Sequence, residues 1–160
     1  MTSNKPFNPD KLVVRQATES DASTLVKFQV QMAWETEKLR LNIAEVEQGV
    51  NRVFSGLPIA KYYVAEQDNR VIGCLLICYE WSEWRNGTIL WIESVYIDPE
   101  YRGKGVYKKM YHAVQHLVEQ DNGLKGIRLY VEKSNKAAQQ VYQKLGMNGD
   151  HYRLYEWMKP

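Results

Sequence analysis

The stretch "IESVYIDPEYRGKGVYKKM", residues 92–110, decides the fold. It opens as a β-branched strand, turns through Gly103 and Gly105 and runs into a helix. Such a unit points backbone N–H groups out from the positive end of a helix dipole, which suits phosphate oxygens. Arg102 and Lys104 add charge, and the glycines let the backbone approach a ligand closely. Two residues fit less easily. Glu93 places a carboxylate inside an apolar strand, and Tyr107 places a bulky ring at the mouth of the helix. The turn is not a P-loop, because Lys104 is followed by Gly105 rather than Ser or Thr. It is not a dinucleotide fingerprint either, since no acidic residue stands about 20 positions on at the end of the next strand.

Upstream of this unit, "KLVVRQA" predicts a short strand and "DASTLVKFQVQMAWETEKLR" a helix. Asp21 would be its N-cap, and Leu25, Phe28 and Met32 its apolar stripe. "IAEVEQGVNRVFSG" predicts a second helix through Ile43, Val46, Val50 and Val53, ending at Gly56. Three strands follow, "AKYYVAEQ", "VIGCLLICYEW" and "TILWIESVYI", joined by the turns "DNR" and "RNG". Downstream, "VYKKMYHAVQHLVEQ" is a helix with Val106, Met110, Ala113, Val114 and Leu117 on one face. "GIRLYVE" reads as a strand, "NKAAQQVYQKLG" as a helix and "HYRLYEWM" as a last strand. The order βααβββαβαβ implies an α/β fold: a mixed, mostly antiparallel sheet with helices on both faces.

Composition excludes several classes. With 160 residues, 44% hydrophobic and 25% charged, the chain reads as a polar tail over residues 1–10 and a single domain over 11–160. A formal net charge of +2 is too small to argue for a nucleic-acid partner. "MTSNKPFNPD" lacks the apolar core of a signal peptide, and no stretch reaches the length of a membrane span. Cys74 and Cys78 would share one strand face, too far apart for a relaxed disulfide, and read as buried thiols of a cytoplasmic protein. His112 and His116 have i, i+4 spacing, but Ala113 stands where a zinc protease carries Glu, so no metal is expected.

The element order, the run "VYIDPEYRGKG" and the downstream "NKAAQQVYQKLGM" together resemble the GNAT superfamily of N-acetyltransferases over residues 12–158. The phosphate motif of that family, Arg/Gln-x-x-Gly-x-Gly/Ala, is matched at Arg102 and Gly105 and departed from at Tyr107. Its second motif is filled by Asn135, Ala138, Tyr142, Lys144 and Gly146. The resemblance implies transfer of an acetyl group from acetyl-CoA, as co-substrate and without a metal, to an amine. It also implies that the backbone of Val95, Tyr96 and Ile97 pairs with the pantetheine arm like an added strand. The amides of Gly103, Lys104, Gly105, Val106 and Tyr107 would hold the pyrophosphate, and Asn135 would touch the cofactor as well as cap its helix.

Each site residue carries a competing reading. Tyr142 is a general acid for the departing thiolate, or a core aromatic. Glu93 is a general base whose pKa burial would raise, or the partner of a structural ion pair with an arginine such as Arg128. Trp34, Glu35, Glu80, Trp81 and Trp84 supply aromatic faces and carboxylates suited to a small cationic amine, or form a solvated hairpin or a dimer contact. The expected acceptor is a small-molecule or peptide amine, attacking directly in a ternary complex. A homodimer stays open. So do two other classes, a non-catalytic acyl-CoA sensor and a protein-interaction module built on the Trp-rich hairpin.

Overall fold

The computed structural model describes residues 6–160 and divides into two compact units, one ending at Leu129 and one spanning Tyr130–Pro160. The first five residues of the expected polar tail lie outside the described residues. Beyond them, Asn8 caps a 3-10 turn over Pro9–Lys11, and its N–H donates to Gln67 Oε1 at 2.8 Å.

The first unit contains β1 (Val13–Gln16), α1 (Ala22–Glu37), α2 (Ile43–Phe54), β2 (Ala60–Gln67), β3 (Arg70–Ser82), β4 (Gly87–Ile97), α3 (Val106–Gln120) and β5 (Leu124–Leu129). The strands form one sheet in the order β1-β2-β3-β4-β5. The first three pairings are antiparallel, and β4–β5, joined through α3, is parallel. Short turns suffice for the antiparallel neighbours, whereas the parallel pair needs the helical crossover. The mostly antiparallel mixed sheet is therefore the one expected.

Both faces of the sheet are covered. Leu25, Val26 and Phe28 of α1 and Val50 of α2 pack with Tyr62, Val64, Cys74 and Tyr96 on one face. On the other, Met110 of α3 lies over Gly73, where an added Cβ would stand 3.6 Å from its sulfur and 2.7 Å from Ile97. That glycine is required by close approach rather than by its backbone angles.

Asp21 precedes α1 as the sequence implies, but its side chain does not cap that helix. Its carboxylate instead accepts from the Thr18 N–H at 2.8 Å and from both terminal nitrogens of Arg15 at 2.8 and 3.0 Å. Arg15 also reaches Glu66 on β2. The Arg15 hydrogen bond holds the Asp21 carboxyl below its usual range against the opposing effect of burial. One guanidinium thereby ties β1, β2 and the entry to α1 together.

β4 is irregular where it matters. Cys74 pairs with Tyr96 and Leu76 with Glu93, so Leu75 alone opposes both Ser94 and Val95. This two-against-one bulge carries Ser94 at a φ of 51°, in the left-handed region. Strict alternation would put Glu93 and Tyr96 on opposite faces; the extra residue puts both on the face covered by α1.

The second unit contains α4 (Lys136–Lys144), whose N-cap Asn135 accepts from the Ala138 N–H at 3.0 Å. The helix ends at Lys144, and Gly146 just beyond its C-cap has a φ of 84°. The strand expected over residues 151–158 does not form. Tyr152, Leu154, Tyr155, Trp157 and Met158 are exposed and have no strand assignment. Alternating apolar residues give a strand only where a neighbouring strand takes up their backbone groups, and this unit contains no other strand to pair with.

The bulge generates a stability prediction. A β-branched residue at position 94 would have to adopt a left-handed φ, so Ser94→Val should destabilise by about 1–3 kcal/mol. Ser94→Gly should be neutral or stabilising by up to about 1 kcal/mol. Urea unfolding of the two variants checks this, and equal midpoints would contradict the strained geometry.

Candidate active site

The turn between β4 and α3 has the form of an anion cradle. Gly103 and Gly105 adopt φ values of 71° and 80°, and a Cβ added at either would meet nothing within 4 Å. Glycine is thus demanded here by conformation and not by crowding, and the approach to the backbone is open. Because the N-cap of α3 is Gly105, no side chain at the cap position satisfies the first-turn amides, which are left for solvent or a ligand. This fits a diphosphate. Tyr107 is half-buried on the first turn of α3, its ring centroid 6.4 Å from that of Tyr111. Of the placements open to this bulky residue, packing along the helix against Tyr111 is the one adopted.

Next to the cradle, β4 offers an edge. Among the described residues its pairing with β5 runs only from Thr88 to Ile92, opposite Leu124 to Leu129. Glu93 through Ile97 stay paired with β3, apart from the bulged residues, and run past the end of β5. Val95, Tyr96 and Ile97, the residues expected to meet the pantetheine arm, lie within this stretch. A ligand presenting amide groups in extended form can add to such an edge.

Glu93 is half-buried rather than sealed in a two-sided strand. Its carboxylate accepts a hydrogen bond from the Cys78 thiol at 3.8 Å. The ion pair entertained for it goes elsewhere: Arg128 donates to Glu80 at 3.1 Å, and the Trp91 indole N–H donates to the same Glu80 carboxylate. Arg128 also lies 5.8 Å from the Trp91 ring centroid. By strand register Cys78, Glu80, Trp91 and Glu93 share the sheet face beneath α1. Cys78 is half-buried, a correction to the buried pair of thiols expected, and Cys74 is buried. Burial first, and then the Glu93 carboxylate, pushes the Cys78 thiol up to about 11. Sequence reading passed over Cys78 as a neighbour of Glu93, although its place opposite Trp91 was within reach of a correct register.

The expected acceptor residues are dispersed in role. Glu80 is engaged as described. Trp81 is exposed, and Trp84 stands at the hairpin tip with 87% of its surface open. Trp34 lies in the last turn of α1, with Lys38 and Arg40 of its own chain 5.7 and 5.4 Å from its ring centroid. Glu35 accepts from the Tyr96 hydroxyl at 3.0 Å and from Arg102 at 2.7 Å. Lys104 donates to the Glu100 carbonyl at 2.7 Å. In the second unit, Tyr142 is half-buried on α4, and its carbonyl accepts from the Leu145 and Met147 N–H groups that close the helix. His112 and His116 are exposed; His112 hydrogen-bonds to Gln115 within its own helix, and His116 lies 4.0 Å from Glu119. No helix among the described residues is long and apolar enough to cross a membrane.

The family model of the Acetyltransferase (GNAT) family matches residues 24–147. The chain belongs to that family. It is similar to the thialysine N-epsilon-acetyltransferase of Bos taurus, 31% identical over 144 residues that cover 84% of this chain and 83% of the relative. It is also similar to the crystal structure of a possible acetyltransferase from Clostridium difficile 630. There the TM-score is 0.86 and the identity 36%, over 93% of this chain and 98% of the other. The structure of AAC(6')-Iy in complex with a bisubstrate analog, CoA-S-monomethyl-acetylneamine, shares the fold at TM-score 0.75 and 16% identity. That likeness covers 93% of this chain and 99% of the other. The GNAT chain described here is therefore an acetyltransferase, an enzyme of the acyl-CoA N-acyltransferase type.

The contact between Cys78 and Glu93 can be tested without any assay of activity. With its pKa raised to about 11, only about 0.1% of the Cys78 thiol is ionised at pH 8. Alkylation by iodoacetamide at that pH should be about 100-fold slower than for a free cysteine. Glu93→Gln removes the like charge and should speed it several-fold while the burial effect persists. A rate that Glu93→Gln leaves unchanged would contradict the contact.

Proposed function

We propose that this enzyme transfers the acetyl group of acetyl-CoA to the primary amine of a small cationic acceptor, by direct attack in a ternary complex. The observation that carries this reading is the end of β4. There an extended edge without a β5 neighbour and a half-buried carboxylate, Glu93, lie beside a turn fit for a diphosphate. In the proposed arrangement the edge at Val95, Tyr96 and Ile97 takes the pantetheine amides. The amides from Gly103 to Tyr107, with Arg102, take the diphosphate.

On the way from ammonium to amide the acceptor nitrogen loses two protons. Glu93, directly or through a water, takes the first and frees the lone pair that forms the N–C bond. Carbon–sulfur cleavage then expels a thiolate, to which Tyr142 donates its phenolic proton. A phenol is suited to that step because it stays protonated at neutral pH. The second nitrogen proton leaves as the amide forms and, through solvent, restores the Tyr142 phenol, while Glu93 gives up the first to solvent, so one proton is released overall for each acetyl group moved. Neither cysteine fits a covalent role. Both thiols are pushed up, Cys74 by burial to about 12 and Cys78 to about 11, and are poor nucleophiles at neutral pH.

The similarity to thialysine acetyltransferases supports an acceptor with a terminal ammonium on a short chain. Thiol release with a panel of amines, followed by mass spectrometry of the products, tests this. Thialysine and short diamines should outcompete neutral primary amines, with KM rising at higher salt. A preference for neutral or anionic amines would overturn the cationic acceptor.

The two proton-transfer roles separate by mutation. Tyr142→Phe should lower kcat by about 10–1000-fold with acetyl-CoA affinity nearly unchanged. Glu93→Gln should keep the fold and remove or shift the acidic limb of the kcat/KM profile. Unchanged turnover in the first variant, or an unchanged profile in the second, would remove that residue from the mechanism.

A further inference from the structure

Arg102, the cation expected at the diphosphate, is already engaged within the chain. Its Nη2 donates to Glu35 Oε2 at 2.7 Å, and its Nε donates to the Ile97 carbonyl at 2.9 Å. The guanidinium also lies 5.2 Å from the centroid of the Tyr96 ring. The second oxygen of Glu35 accepts from the Tyr96 hydroxyl at 3.0 Å. Three segments meet at this cluster: the last turn of α1, the end of β4 and the turn that opens α3. The pair is not sealed, since the Arg102 and Glu35 side chains are 46% and 37% exposed. An ion pair this open is weak enough to exchange.

A diphosphate and a carboxylate cannot both hold Arg102 on equal terms. The guanidinium fork binds phosphate oxygens bidentately, and a carboxylate 2.7 Å from one of its nitrogens repels the incoming anion. Glu35 also stands over the face that carries the acceptor chemistry. Tyr96, which holds it, shares that sheet face with Glu93 because of the bulge. We propose that Glu35 and the diphosphate of the co-substrate compete for Arg102, so that diphosphate binding releases the Glu35 carboxylate, anchored by Tyr96, to receive the ammonium of the acceptor. The proposal rests on the reading of Arg102 as a diphosphate ligand. It makes Glu35 a specificity residue whose availability depends on the co-substrate. By linkage, each ligand must then raise the affinity for the other by the same factor.

The rival account makes Glu35 a fixed brace that orients Arg102, and it predicts effects of the opposite sign. Calorimetry with CoA, which cannot be turned over, and thialysine as the cationic probe separates the two. Glu35→Gln keeps the shape and the acceptor for Tyr96 but loses the charge. CoA should bind this variant about 5-fold more tightly than it binds the wild type. In the wild type, saturating CoA should raise thialysine affinity by about the same factor, and in the variant that gain should vanish. The wild-type measurement needs no mutant to fold. CoA binding to Glu35→Gln with equal or lower affinity would overturn the competition. Thialysine binding to the wild type that CoA leaves unimproved would overturn the release. Absence of CoA binding to both proteins would overturn the diphosphate reading along with it, a result distinct from CoA binding that the substitution leaves unchanged.

Discussion

One mismatched residue pair in the sheet governs the rest of the site. Leu75 opposes two residues of β4, Ser94 and Val95, and the ladder on either side must accommodate the extra one. The first consequence is facial: Glu93 and Tyr96, three apart, come to the same side. The second is directional, since a bulge bends its strand and sharpens its twist. Pairing with β5 ends at Ile92, and the remainder of β4 runs on with one edge unpaired by that strand. A regular β4 would leave Tyr96 on the face opposite Glu93, away from α1. The left-handed Ser94 is thus a local strain from which the site draws its geometry.

From Tyr96 the consequences spread through packing. Its ring meets Phe28 of α1 with centroids 4.9 Å apart, and its hydroxyl meets Glu35 two turns further along the same helix. Burial, together with the adjacent Glu35 carboxylate, pushes the Tyr96 phenol up to about 12, so it remains a donor throughout the neutral range. The Glu35 carboxyl is held below its usual range, chiefly by Arg102 and against desolvation. At neutral pH the cluster is therefore a carboxylate, a guanidinium and a neutral phenol. At the opposite end of α1, Arg15 performs an analogous task with Asp21 and Glu66. The helix is pinned to the sheet electrostatically at both ends and by apolar contacts along its middle.

The sequence revealed these features unevenly, for physical reasons. Elements with a clear period were legible: α3 occupies the residues expected of it, and the three central strands agree within a residue or two. The bulge was not legible, because alternation of side chains is the assumption by which a strand is recognised. The Arg102–Glu35 pair joins residues 67 positions apart, so no local pattern announces it. Arg128, weighed as one possible ion-pair partner for Glu93, pairs with a different carboxylate. Register guides that choice: Arg128 lies beside Trp91, and it donates to Glu80. The C-terminal segment shows the converse error. "HYRLYEWM" alternates convincingly, but alternation describes side chains, while a strand is made by backbone partners.

Tyr107 shows how a motif can vary without losing its physics. The family pattern asks for a small residue there, as though the whole turn needed glycine. In the structure the left-handed angles fall at Gly103 and Gly105, and α3 starts at Val106. Position 107 is thus inside the helix, where any L-residue is at ease and the backbone N–H is the same for tyrosine as for glycine. A helical side chain is directed back over the preceding turn and along the helix face, so residues three and four apart are neighbours. Tyr107 meets Tyr111 in this way, and its bulk becomes part of the packing of α3. The small residue of the pattern is therefore one solution for the helix mouth, and an aromatic pair at i, i+4 is another. The turn keeps its pair of left-handed glycines and the run of amides behind them, the features on which the proposed diphosphate site rests.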